Sequence, residues 1–215
     1  MNLGDIISEA RVLLQDTSAT MRRFTDAQML EFGNQTLKRI SLLRPDLFAY
    51  IGEIPCTTGE VLQPMPADSL RVMEILRVKD GSAIRETNRE TMDQSYPGWT
   101  TKANGVAINW MRHPRNPNRF FVYPPAAASQ ILIGEYVQAP PVYDDATEIE
   151  LLSDTYYVSV LDGIVWLAES IDNEHVNSGR AAMFQKTFAE SLSVNLQGRE
   201  TTDTESSGYQ KERYK

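Results

Sequence analysis

The sequence predicts an α+β fold: an antiparallel helical bundle of about four helices, with an inserted β-rich sandwich or barrel and an extended C-terminal arm. Three observations predict it. All 11 prolines fall between Pro45 and Pro141, and proline removes a backbone donor and breaks helix interiors. The proline-free flanks repeat apolar residues at i, i+3, i+4 and i+7, whereas the middle carries short Val, Ile and aromatic runs between turn residues. After Gly198 the chain, RETTDTESSGYQKERYK, has no aliphatic side chain. The organisation expected is a first helical half over 1–46, a β-rich insertion over 47–150, a second helical half over 151–198 and an arm over 199–215.

Each element has its own signal. Leu3, Ile6, Ile7, Ala10, Leu13 and Leu14 form one apolar stripe on a helix over about residues 2–15. Asp16, Thr17 and Ser18 favour a loop. Thr25 and Gln28 form a capping box, and Phe24 and Met29 stand where a hydrophobic staple places them. The helix they open points Leu30, Leu37, Ile40 and either Phe32 or Leu43 inward. It ends before Pro45, because the residue preceding proline is disfavoured in helical geometry.

In the second half, Ser153 or Asp154 caps a helix running to about Asp172. Tyr157, Val160, Leu161, Ile164, Val165, Leu167, Ala168 and Ile171, with Trp166 beside them, are too many for one narrow stripe. A helix apolar over most of its circumference is buried on more than one side, centrally in the bundle or also against a neighbouring subunit. Asn177 or Ser178 caps the last helix, with Ala181, Phe184, Phe188, Leu192 and Leu196 (or Val194) inward and Gly198 at its end.

In the middle, β-like segments are Tyr50–Thr57, Val61–Gln63, Arg71–Lys79, Ala83–Glu86, Val106–Met111, Phe120–Tyr123 and Gln130–Gln138. Asp80-Gly81 is a hairpin signal. Asn88–Gln94 suits a short helix, and Tyr96–Trp99 and His113–Asn118 suit loops. Trp99, Trp110, Phe120, Phe121 and Tyr123 fall at strand spacing, so core packing explains them better than base stacking does.

The net charge of −8 argues against general affinity for DNA. The charge is also segregated. Residues 94–134 hold Lys102, Arg112, Arg115 and Arg119 and no acid, whereas residues 120–179 hold ten acids and no Lys or Arg. A solvated surface accounts for this. So does a basic face with Arg112, Arg115 and Arg119 on one copy meeting an acidic face with Asp144, Asp145 and Glu148 on the next, with Trp166 at a further subunit contact. In the arm, Tyr209 and Tyr214 are candidate anchors on a partner, with Lys211, Arg213 and Lys215 as charge contacts.

Catalytic chemistry is sparse. His113 and His175 have no second ligand at metal spacing, and there is no HExxH, CxxC, Walker A, GxGxxG or GxSxG pattern. No catalytic, cofactor or metal residue is expected. The single Cys56 forms no intrachain disulfide. No apolar run approaches a membrane span, and the opening MNLGDIISEA reads as a helix, which suits a protein made and kept in the cytoplasm.

The strings Asp5–Asp16, Arg23–Leu30, Asn34–Ile40 and Arg44–Phe48 resemble, in order and spacing, the opening of tailed-bacteriophage head-to-tail adaptor (connector, head completion) proteins. The resemblance covers residues 3–48 and extends more loosely over the Leu70–Asp80 strand and the last two helices. It implies a structural virion protein at the head–tail junction and no enzymatic activity. It also implies a ring, commonly a dodecamer, under the portal vertex, with double-stranded DNA passing non-specifically through the channel. The partners implied are further copies, the portal protein, reached by the arm through Tyr209, Lys211, Arg213, Tyr214 and Lys215, and the next tail component, a nozzle or tail tube protein. Two alternatives come from the residues: a nucleic-acid-binding accessory using the Arg112–Arg119 loop, and a virion-associated hydrolase using carboxylates of the Asp144–Glu150 segment.

Overall fold

Helix α1 spans Leu3–Leu13, started by Asn2, whose side chain accepts the Asp5 N–H. Helix α2 spans Asp26–Leu43 and opens with both bonds of the Thr25–Gln28 capping box in place. It ends at Arg44, which leaves helical geometry at φ −131°, as its position before Pro45 requires. In the computed structural model, which describes residues 1–18, 20–171 and 179–193, three further α-helices follow. Helix α3 is Arg89–Ser95, capped by Asn88. Helix α4, Tyr157–Glu169, is led in by a short 3-10 turn capped by Ser153. Helix α5 covers 179–193.

By contact the chain divides into two units: Met1–Arg44 with the segment from Pro141 onward, and Pro45–Pro140. In the first, α4 packs against both α1 and α2. Val160, Leu161, Ile164, Val165, Leu167 and Ala168 are buried, so α4 is the central helix of a bundle. Phe188 and Leu192 bring α5 into the same core. Phe32 is buried and Leu43 is exposed, which decides the inward face of α2. Leu13 and Ile171 were expected inside and are exposed. Leu13 lies at the last turn of α1, where the buried stripe passes to Leu14, and Ile171 lies beyond the end of α4.

The second unit is a two-sheet sandwich. Strands β1 (Ala49–Pro55), β7 (Ile131–Gln138) and β3 (Ser69–Val78) form one sheet in that order, with β7 antiparallel to both neighbours. Strands β2 (Leu62–Pro64), β6 (Arg119–Tyr123), β5 (Asn109–Arg112) and β4 (Arg85–Glu86) form the other. Ile54, Val72, Ile75, Leu132 and Tyr136 of the first sheet share one core with Trp110, Phe120 and Val122 of the second. The turn after β3 places Asp80 at φ 56°, in the left-handed region that Asp tolerates, with the Gly81 N–H donating to Val78 O. As the Asp80-Gly81 signal requires, the returning chain first pairs back on β3: Arg77 bridges Ala83 antiparallel, and the Ile84 N–H donates to Leu76 O at 3.0 Å; β4 then pairs parallel with β5 in the opposite sheet.

Candidate interaction surfaces

The basic surface belongs to the sandwich. Arg112 ends β5; its Nε lies 2.7 Å from Glu86 and its guanidinium stands 5.0 Å above the Trp110 ring. It also donates to the carbonyls of Val72, at 3.4 Å, and Met73. Arg112 therefore ties β5 to β3 and β4 before it can serve a partner. The loop that follows is organised by His113. Its ring stacks on Phe121 at 5.4 Å and its Nδ1 accepts the N–H groups of Asn116 and Arg115. Arg115 within that loop and Arg119 at the start of β6 are exposed, and neither guanidinium has a carboxylate partner among the described residues. The aromatics near these arginines in sequence are structural: Trp99, Trp110 and Phe120 are buried, with Phe121 and Tyr123 packed on a smaller cluster.

The acidic surface belongs to the helical unit. Residues 141–152 run as a strap from Pro141 to α4. Its anchor is a reciprocal pair: Asn34 Nδ2 donates to Tyr143 O at 2.9 Å, and the Tyr143 N–H donates to Asn34 Oδ1 at 2.8 Å. Tyr143, Ile149 and Leu152 are buried, so the intervening acids point outward. Asp144 accepts the N–H groups of Thr147 at 2.6 Å and Ala146 at 3.1 Å. Hydrogen bonds from Thr147 hold its carboxyl below the usual aspartate range. Asp145 accepts the Gly4 N–H through its main-chain oxygen at 2.8 Å, leaving its exposed carboxylate to solvent. Glu148 bridges antiparallel to Asn2. The three arginines and the three acids thus stand on different units.

Trp166 is half-buried on α4. The Arg39 guanidinium lies 4.6 Å from its ring centroid and Phe188 lies 5.7 Å away. Arg39, Leu42 and Leu43 of α2 form one wall of a groove, and Gln185, Phe188 and Ala189 of α5 form the other. Both walls repeat at i, i+3, i+4, so each is one helical face. Leu42 is 73% exposed and Leu43 60%. The sequence reading missed this groove, although two adjacent leucines at the end of one amphipathic helix cannot both face its core. The arm residues Tyr209, Lys211, Arg213, Tyr214 and Lys215 lie outside the described residues, as do His175, Asn177, Ser178, Val194, Leu196 and Gly198.

Among the described residues no three His, Cys, Asp or Glu side chains converge as a metal-binding set, and no helix is long and apolar enough to cross a membrane. The larger polar recesses are built from ion-paired side chains: Glu86, Arg89 and Arg112 in the sandwich, and Arg23, Glu169 and Arg180 in the helical unit.

A family model for the SU10 adaptor protein matches residues 1–210. The chain belongs to that family. It is a phage adaptor, a structural connector of the virion's head–tail junction that binds other head or tail components. None of the curated proteins compared matches the adaptor. The helical unit holds α1 and α2, where the strings of the adaptor resemblance are concentrated.

Proposed function

We propose that the adaptor assembles in the host cytoplasm as a ring of about twelve copies that seats on the portal protein and opens a channel for DNA into the tail. The helical unit builds the ring, the arm over 199–215 reaches the portal through Tyr209, Lys211, Arg213, Tyr214 and Lys215, and the sandwich meets the next tail component, a nozzle or tail tube protein. One observation carries the ring: the helical unit leaves large apolar side chains in water, among them Val12, Leu42, Leu43, Val158 and Met183. Leu42 and Leu43 adjoin Phe188 and Ala189 in one apolar groove, and a contiguous exposed apolar patch on a folded unit marks an interaction site. A subunit net charge of −8, repeated around a channel, would repel phosphate and let the duplex pass without adhering.

The test uses the purified full chain and portal-bearing heads. Native mass spectrometry and negative-stain electron microscopy should show annular particles, free or on the portal vertex. Removing residues 199–215 should leave a folded protein that no longer adds to those heads. A monomer that stays monomeric on portal-bearing heads would refute the ring, and unchanged addition without 199–215 would refute the role of the arm.

A further inference from the structure

We propose that the groove between α2, α4 and α5 receives the outer face of α1 from a second copy, so that the two surfaces meet head to tail around the ring. The proposal rests on the ring reading above and names the contact that would build it.

The groove offers apolar walls and one cation. Leu42, Leu43, Phe188 and Ala189 line it, Trp166 forms its floor, and Arg39 is the charged residue in the lining. The Arg39 guanidinium lies over the Trp166 ring, 4.6 Å from its centroid, and among the described residues it has no carboxylate partner. A guanidinium presented on an aromatic face beside apolar walls is preorganised to accept an acid from an apolar ligand.

The outer face of α1 is the complement. Asp5, Glu9 and Val12 follow one another at i+4 and i+3 on its exposed side, and Val12 is 63% exposed. The Glu9 carboxylate accepts the Tyr157 hydroxyl at 2.8 Å and meets no cation among the described residues. An amphipathic helical face carrying an acid one turn from an apolar anchor is what a groove with one cation accommodates. Laid along the groove, Val12 would contact Leu42 and Leu43 while Glu9 reaches Arg39.

The pairing must be between different surfaces. Two grooves facing each other would bring Arg39 against Arg39 with no acid between them, a like-charge contact. Because α1 contributes nothing to the groove lining, each copy carries both halves of the joint, and a repeated heterologous joint closes into a ring when its rotation permits.

Charge reversal tests this on the full chain. R39E and E9R should each lower the ring population roughly tenfold at fixed protein concentration, read by native mass spectrometry, with unchanged far-UV circular dichroism. The double variant R39E/E9R should restore rings, which a merely structural role of either residue would not allow. Oxidation of V12C/L43C should give a ladder of covalent multimers. Rings that persist in both single variants, or a double variant no better than the singles, would overturn the contact while leaving the ring reading intact. Absence of a V12C/L43C ladder in a chain that still forms rings would also overturn it, and would point to residues 194–215 as the groove's occupant. A wild-type chain that forms no ring, alone or on portal-bearing heads, would overturn both.

Discussion

Replacing Gly163 by alanine should destabilise the helical unit even though alanine is the better helix former. Gly163 sits inside α4 where α2 crosses it. A Cβ there would stand 2.3 Å from Thr36 Cγ2, 3.1 Å from Thr36 Oγ1 and 3.1 Å from Phe188 Cε2. The first distance falls more than about 1 Å short of ordinary contact, and Thr36 is β-branched within a helix, so it has few rotamers into which to retreat. Overpacking of this kind costs about 1–3 kcal/mol, and so severe an overlap belongs at the upper end. The alanine gains about 1 kcal/mol in helix propensity, leaving a net loss of about 2 kcal/mol. Thr36→Ala removes the obstructing atoms together with a hydroxyl that is buried without a hydrogen-bond partner. It should be near neutral alone and should rescue Gly163→Ala. Urea unfolding followed by far-UV circular dichroism measures this, at one low protein concentration because association raises apparent stability. With a slope of about 2 kcal/mol per molar, the single variant's midpoint should fall by about 1 M. A Gly163→Ala protein as stable as the parent, or a double variant no better than Gly163→Ala, would show that this glycine does not set the α2–α4 separation.

Arg11→Met should cost about 3–5 kcal/mol, because Arg11 is buried at 2.6 Å from the buried Asp16 carboxylate and 2.8 Å from Asp26, and its loss leaves Asp16 uncompensated; Arg11→Met/Asp16→Asn should cost less in the same urea titration. Burial pushes the Cys56 thiol up to about 11. At pH 8, below both that value and the ordinary 9.0, the folded chain holds less thiolate than the unfolded one, so iodoacetamide should alkylate it roughly a hundredfold more slowly in buffer than in urea; equal rates would contradict the burial.

Features decided within a few residues were legible in the sequence. The Thr25–Gln28 box, the short helix at Asn88–Gln94 and the stop before Pro45 each depend on local backbone chemistry, and the structure has all of them, the short helix as Arg89–Ser95. The strand segments were legible because β-branched and aromatic runs suit a half-buried pleat. The partners of those strands were not. β4 follows β3 through a tight turn, yet pairs parallel with β5 in the other sheet, because the two-sheet core around Trp110 and Phe120 sets the pairing. Arg11 was illegible for a related reason. It falls at i+4 from Ile7, on the buried side of α1, and periodicity alone reads a charge there as outward. Its burial needs Asp16, Asp26 and the Phe24 carbonyl, which only the folded loop brings together.

The distribution of charge partners separates what holds the subunit together from what it presents. Arg11 is spent on Asp16 and Asp26, Glu169 lies between Arg23 and Arg180, and Arg112 is spent on Glu86 and two carbonyls. These contacts join elements within a unit, and breaking the buried ones would be felt as lost stability. Arg39, Arg115 and Arg119 have no carboxylate among the described residues, and Glu9, Asp144 and Asp145 have no cation. Exposed ion pairs contribute little to a lone fold, so nothing in the subunit's own stability requires the second group to be paired. Across an interface the same charges fix register and exclude wrong partners. A connector must join different neighbours at different faces in one order. Leaving basic residues on the sandwich and on α2, and acids on the strap and α1, while the fold rests on buried pairs and apolar packing, lets those faces be selected for their neighbours without altering the core that carries them.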